Sequence, residues 1–276
     1  MSRLGVRKTY KLYVGGAFVR SESGRYDRAT DAGGNHIANV PRGSRKDVRD
    51  AVKAARTAAG PWAARTAYNR GQILYRAAEA LESRGGELGV EGAELEATID
   101  VLVHYAGWTD KIQPVLGGIN PVAAPFLSFS TPEPTGVVGL VAPDEPELLG
   151  LVAELAPALA AGNTVVAAIS EAKPLAALDL AEVLGVSDLP AGVANLLSGR
   201  RGELALALAA HHDLNALVDC SGDPDLGTEL DKLAAESVTR VRHARATTSY
   251  GEATKDALSR LEGVTELKTA WHPIGA

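Results

Sequence analysis

The chain has 276 residues, 46% hydrophobic and 22% charged, and its 34 Asp+Glu against 28 Lys+Arg leave a formal charge of −6. At about 100–200 residues per domain, two compact units fit and a third does not; the mild acidity and the spread of basic residues, which include a group at Arg240, Arg242 and Arg245, argue against nucleic acid. A lone Cys220 precludes an intrachain disulfide, no Cys/His zinc spacing occurs, the first residues lack a signal peptide's apolar core, and the apolar run 155–170 is shorter than a membrane helix, so a cytoplasmic protein is expected.

Residues 11–40 read as short strands and turns, with a Gly15-Gly16 turn between Leu12–Val14 and Phe18-Val19. Ser44 reads as an N-cap with Asp47 at the third helical position. Val48, Ala51, Val52 and Ala55 then recur at helical spacing until Gly60-Pro61, which is expected to stop the helix. A second helix is predicted over about 67–83, with Ile73, Leu74, Ala77, Ala78 and Leu81 on one face and Gly85-Gly86 at its end. A third is predicted over about 87–113, with the uneven face of Leu95, Ile99, Leu102, Val103 and Ala106.

After a Gly/Pro-rich connection, 126–131 has the period-two pattern of a strand. Apolar runs at 136–142, 164–169, 193–197, 214–218 and 238–241 then alternate with helical segments at about 146–161, 174–184, 201–210 and 223–236. Five buried strands separated by four helices imply an α/β fold: a Rossmann-like parallel five-stranded sheet with helices on both faces. No GxGxxG and no GxxxxGK[ST] occurs, so neither phosphate loop supports a nucleotide site.

Several blocks carry a resemblance: Val14-Gly15-Gly16, Gly60-Pro61-Trp62 followed by Asn69-Arg70, Tyr105-Ala106-Gly107-Trp108 with Asp110-Lys111-Ile112, Pro134-Thr135-Gly136-Val137-Val138-Gly139, the run 155–166, and Leu189-Pro190-Ala191-Gly192-Val193 with Asn195. From about 11 to 242 the chain resembles the N-terminal half of the NAD(P)-dependent aldehyde dehydrogenase superfamily. Beyond it, Ser249-Tyr250-Gly251 and Glu266-Leu267-Lys268-Thr269-Ala270-Trp271 resemble the family's C-terminal segments, so the resemblance implies that the catalytic domain between them is missing. The organisation it implies is N-terminal strands and a helical layer over 1–125, an oligomerisation strand over 126–134, a degenerate cofactor-binding domain over 135–245 and an oligomerisation tail over 246–276. The small oligomerisation sheet is expected to combine the 126–131 strand, the N-terminal hairpin and the tail, with Thr265, Leu267, Thr269 and Trp271 on one face.

Measured against the family's chemistry, the catalytic inventory is empty. The thiol-bearing motif is absent, and Cys220, at the end of a predicted strand, reads as structural. The family's Pro-Trp-Asn-Phe-Pro aligns on Pro143-Asp144-Glu145-Pro146-Glu147, and a carboxylate at Glu145 would repel an oxyanion; that loop reads as solvated in preference to an Asp144–Glu145 acid/base pair. The ribose-binding Lys-Pro-Ser-Glu aligns on Ala168-Ile169-Ser170-Glu171, which keeps Ser170 and Glu171 and loses the lysine. Gly-Ser-Thr-x-x-Gly, which faces the pyrophosphate, aligns on Gly222-Asp223-Pro224-Asp225-Leu226-Gly227, so Gly222 and Gly227 remain while Asp223 sets a carboxylate where phosphate would sit.

Loss of NAD(P) binding is therefore expected, with Glu171 as the reason for weak retention. No metal site is expected: His211-His212 ends a helix, His36, His104, His243 and His272 look isolated, and Arg200-Arg201 reads as a solvated helix start. Three functions stand open. The first is a non-catalytic subunit that assembles with and stabilises or regulates a full-length aldehyde dehydrogenase. The second is an NAD(P)-dependent subunit that retains cofactor binding or shares an active site in a complex. The third is a free-standing nucleotide or metabolite sensor.

Overall fold

The structure is a computed structural model that describes residues 6–31, 33–90 and 92–274. The chain begins with β1 (Lys8–Thr9), β2 (Leu12–Val14), β3 (Ala17–Val19), β4 (Tyr26–Thr30) and β5 (His36–Pro41). Helices α1 (Arg45–Ala63), α2 (Ala67–Arg84), α3 (Ala93–Trp108) and α4 (Ile112–Leu116) follow, then β6 (Gly118–Asn120) and β7 (Phe126–Pro134). An alternating run comes next: β8 (Val137–Val141), α5 (Leu149–Ala160), β9 (Thr164–Ala168), α6 (Leu175–Val186), β10 (Ala194–Leu197), α7 (Arg201–Ala209), β11 (Ala216–Asp219), α8 (Pro224–Ala235) and β12 (Arg240–His243). The chain closes with α9 (Tyr250–Lys255), α10 (Ala257–Glu262) and β13 (Thr265–Pro273).

The five expected parallel strands are present, in the order β12-β11-β8-β9-β10. Their side chains alternate between two cores. Val137, Val141, Val166 and Leu217 pack with Val48 and Val52 of α1, Leu204 and Leu208 of α7 and Leu230 of α8. Val138, Leu140, Val165 and Val218 face the opposite core, built with α2, α3, α5 and α6. Both faces of the sheet are thus covered by helices, which is why β8, β9, β10 and β11 are buried along their whole length, whereas the expected fifth buried strand, β12, is an edge strand of Arg-Val-Arg-His that stays partly exposed.

Several expectations need correction. Helix α1 runs through Gly60-Pro61, because a proline in the last turn costs little ladder and Trp62, 1% exposed, anchors that turn by donating to the Leu159 carbonyl at 3.2 Å. The predicted 87–113 helix is broken: a 3₁₀ turn occupies Gly85–Glu87, and Gly89 (φ +69°) and Gly92 (φ +63°) adopt left-handed backbone before α3. The N-terminal hairpin does not join the small sheet. β2 pairs antiparallel with β10 and carries β3, extending the main sheet to seven strands. The third strand of the small sheet is β6, in the segment expected to be a connection, giving the order β13-β7-β6. A third sheet, β1-β5-β4, forms at the N-terminus. Among the described residues no helix is long and apolar enough to cross a membrane.

Candidate functional site

In a parallel α/β sheet, ligands bind beyond the carboxyl ends of the strands, where helix N-termini gather. The loops after β8, β9, β10 and β11 bring Asp144, Ser170-Glu171, Arg200-Arg201 and Gly222-Asp223 to that edge. The four sequence-predicted residues fall into two hollows. Ser170 and Glu171 line a cleft of about 750 Å³ with Asp27, Lys173, Asp179 and Arg200. Gly222 and Gly227 line another of about 380 Å³ with Asp219, Asp223, Asp231 and His243.

In the first cleft the polar groups are already paired with one another. Ser170, 1% exposed, donates to Asp144 at 2.8 Å and accepts the Lys173 N–H at 2.9 Å. Glu171 accepts from the Arg200 guanidinium and from the Arg201 backbone N–H, each at 2.7 Å, so its carboxylate caps the start of α7. Partial burial opposes its charge, but the Arg201 amide and Arg200 outweigh it and hold the Glu171 pKa below the usual carboxylate range. Asp144 is depressed in the same way, its burial outweighed by Arg201 at 2.6 Å and by Ser170. The expected solvated start at Arg200-Arg201 is therefore an ion-pair network, and Asp144 and Glu145 diverge, Glu145 pairing with Lys173 at 2.7 Å.

The second hollow is acidic. Asp223 caps α8 as predicted, accepting the N–H groups of Asp225 at 3.0 Å and Leu226 at 3.1 Å, with Pro224 in the first turn. Gly227 leaves room for a histidine, since a Cβ there would lie 3.1 Å from His243 Cε1. His243 is not isolated: Nδ1 lies 3.0 Å from Asp219 and Nε2 3.0 Å from Asp231. Burial disfavours its charged form, but the two carboxylates prevail and raise its pKa. Sequence reasoning missed this bridge, although Asp219 and His243 close adjacent parallel strands in register. His104 is also engaged, accepting from Trp108 Nε1 at 2.9 Å and stacking edge-on against Tyr105 and Tyr250.

Cys220 is 3% exposed, and burial pushes its thiol up to about 12, with nearby Arg242 only partly opposing the shift. A thiol so placed is not a nucleophile near neutral pH. The two arginines of β12 are paired within the chain: Arg240 reaches Glu266 at 2.6 Å, and Arg242 joins Arg260 on the buried carboxylate of Glu154. No group of three or more His, Cys, Asp or Glu placed to hold a metal ion occurs among the described residues.

Fold and site together define a doubly wound α/β protein whose strand-end crevice is lined by charged side chains paired with one another. The chain belongs to the aldehyde dehydrogenase family, whose sequence profile matches residues 18–245. It is 35% identical over 243 residues to the mitochondrial aldehyde dehydrogenase family 2 member B4 of Arabidopsis thaliana, an alignment covering 82% of this chain and 44% of that protein. Against human aldehyde dehydrogenase 1A1 it is 31% identical over 261 residues, 87% of this chain and 50% of the relative. Among solved structures, PnpE from Pseudomonas sp. WBC-3 superposes with a TM-score of 0.81 at 28% identity, over 86% of this chain and 51% of PnpE. The NAD+ complex of the Bacillus cereus aldehyde dehydrogenase gives 0.79 at 28% identity, over 85% and 50%. The chain thus spans about half the length of these relatives.

Proposed function

We propose that this chain is a non-catalytic, cytoplasmic aldehyde-dehydrogenase-like subunit that has lost NAD(P) binding and assembles with a full-length aldehyde dehydrogenase, which it stabilises or regulates. The observation that carries the proposal is the state of the helix N-termini beyond the sheet. Glu94 of α3 accepts the Leu148 and Leu149 N–H groups at the start of α5, at 2.9 and 3.2 Å; Glu171 caps α7 and Asp223 caps α8. A dinucleotide pyrophosphate needs such amides free and the local potential positive, and at each of these ends it would meet a carboxylate. The thiol chemistry is equally unsupported, since Cys220 is buried and protonated. From β12 the chain passes through only α9 and α10 to β13, so nothing of a catalytic domain is inserted between the main sheet and the tail. The proposed partner follows from the family resemblance of the small sheet, whose strands would extend a sheet that this chain does not contain.

Calorimetric titration of the purified chain with NAD+ and NADP+ at millimolar concentration is expected to give no binding heat; a saturable isotherm overturns the loss of cofactor. Co-expression with a tagged full-length relative is expected to yield a complex with altered enzyme stability or activity, and free passage of this chain overturns the partner. Ala168→Lys with Asp223→Ser is expected to leave binding undetectable, because Glu94 and Glu171 still cap α5 and α7, and a saturable isotherm in the same titration overturns that account.

A further inference from the structure

One long strand edge of the small sheet is open, and its sequence is complementary to itself. Two backbone bonds flank the β13–β7 ladder: Thr135 N–H to the Val264 carbonyl at 3.2 Å and Ile274 N–H to the Pro125 carbonyl at 2.9 Å. Thr265 stands opposite Pro134 and Pro273 opposite Phe126. Alternation along an antiparallel ladder then assigns the bonds with β7 to the even-numbered residues of β13 and turns the N–H and C=O of the odd-numbered ones outward. The prolines of β7 agree, because Pro132 and Pro134 face Leu267 and Thr265, where no donor toward β13 is needed. β13 is the outermost strand of its sheet, and Leu267 and Trp271 are 60% and 59% exposed. Lysine commonly guards such edges, but Lys268 is drawn back to Glu133 on β7 at 3.2 Å.

We propose that a second copy of this chain pairs with this edge, antiparallel about a twofold axis through Thr269, to join two three-stranded sheets into one. In that register Thr269 faces Thr269 of the second copy and Leu267 faces its Trp271. Each outward N–H meets an outward C=O, and the apolar side chains cover each other. On the opposite face Glu266 meets His272 and Lys268 meets Ala270, so no like charges are opposed. Thr265 meets Pro273, which has no N–H to offer, and the Thr265 carbonyl already accepts from Arg240 at 3.2 Å. Neighbouring axes fit worse. An axis at Lys268 sets that ammonium against itself, and one at Ala270 sets Pro273 against Leu267, leaving the Leu267 carbonyl without a donor.

The partner here is the chain itself, so the pairing goes beyond the proposed function and is tested without any relative. Sedimentation of the full chain at tens of micromolar is expected to give a dimer, and Leu267→Lys with Trp271→Lys is expected to convert it to monomer. Thr269→Cys reads the register directly. Twin Cα atoms on the axis would lie about 5.5 Å apart, within the roughly 4.4–6.8 Å span of a disulfide, so mild oxidation is expected to link the copies. Leu267→Cys, whose twin lies about four residues along the antiparallel strand at ~3.4 Å each, is expected to stay unlinked. Cys220 is buried and leaves the unsubstituted chain as a blank. A monomeric wild type, or Leu267→Cys linking as readily as Thr269→Cys, overturns the proposal. Either result leaves the heteromer open, and a full-length relative that takes the same edge is expected to displace the second copy.

Discussion

Asn163 is fully buried at the turn after α5, where its side-chain oxygen accepts the Gly136 N–H at 2.8 Å and its amide donates to the Ala158 and Val264 carbonyls. Asn195 works the same way, donating to Val165 and Gly192 and accepting the Gly15 N–H, which ties the β2–β3 hairpin to β10. Two residues of the family-like blocks are thus hitches between backbone segments. Asn163→Ala would leave the Gly136 N–H without its acceptor and take a second donor from the Ala158 and Val264 carbonyls, which keep the Asn163 and Thr135 N–H groups, so a loss of roughly 1–3 kcal/mol is expected in urea unfolding. His243 is a different kind of residue, because its contribution titrates. Its folded pKa lies above the ordinary value near 6.5. The stabilisation is therefore complete below that value and is lost as pH rises through the folded pKa. His243→Gln is expected to destabilise more at about pH 5.5 than at about pH 8.5, and salt should shrink the difference because the ring is 45% exposed.

At the scale of elements, the parallel strands and their helices were legible because a sheet buried on both faces leaves short apolar runs separated by amphipathic segments. The last strand shows where that signal misleads. Val238 opens the apolar run at 238–241, but it is 91% exposed, with φ of +56° in the turn after α8, and the strand starts only at Arg240. A β-branched residue in left-handed backbone is strained. Val238→Gly is expected to stabilise the fold by about 0.5–1 kcal/mol, read as a higher urea midpoint, once the added freedom of the unfolded chain offsets part of the relief. The pairing of the N-terminal hairpin with β10 is illegible for a related reason, since a short alternating strand does not name its neighbour. In the candidate site, Asp223 was readable because an Asx cap acts within three residues. Glu94 and Glu171 cap helices that begin 55 and 30 residues away, and such pairing exists only once the fold has formed.

Across the whole molecule, the tail is bound into the α/β body by a buried charge cluster. Glu154 of α5, 3% exposed on its side chain, accepts from Arg242 of β12 and from Arg260 of α10, and Arg260 also donates to Thr247 at 2.8 Å. Tyr105 of α3 adds a bond to the Ala253 carbonyl of α9 at 3.1 Å, and Asn163 holds Val264 just before β13. The short segment between the two sheets therefore packs as part of the core and sets the position of the β13 edge. Burial lowers the pKa of both arginines, yet their ordinary values are so high that they remain charged around neutrality. Glu154→Ala would strand two cations in a poorly solvated site, and a loss of about 3–5 kcal/mol is expected. Replacing all three with apolar residues of similar size, Glu154→Leu with Arg242→Met and Arg260→Met, removes the desolvation cost along with the attraction and is expected to recover most of that loss. Urea unfolding of the single and triple variants separates the two cases. If the triple variant is no more stable than Glu154→Ala, the cluster contributes through its hydrogen bonds to the tail, through Thr247 and the Ala153 carbonyl, more than through charge pairing.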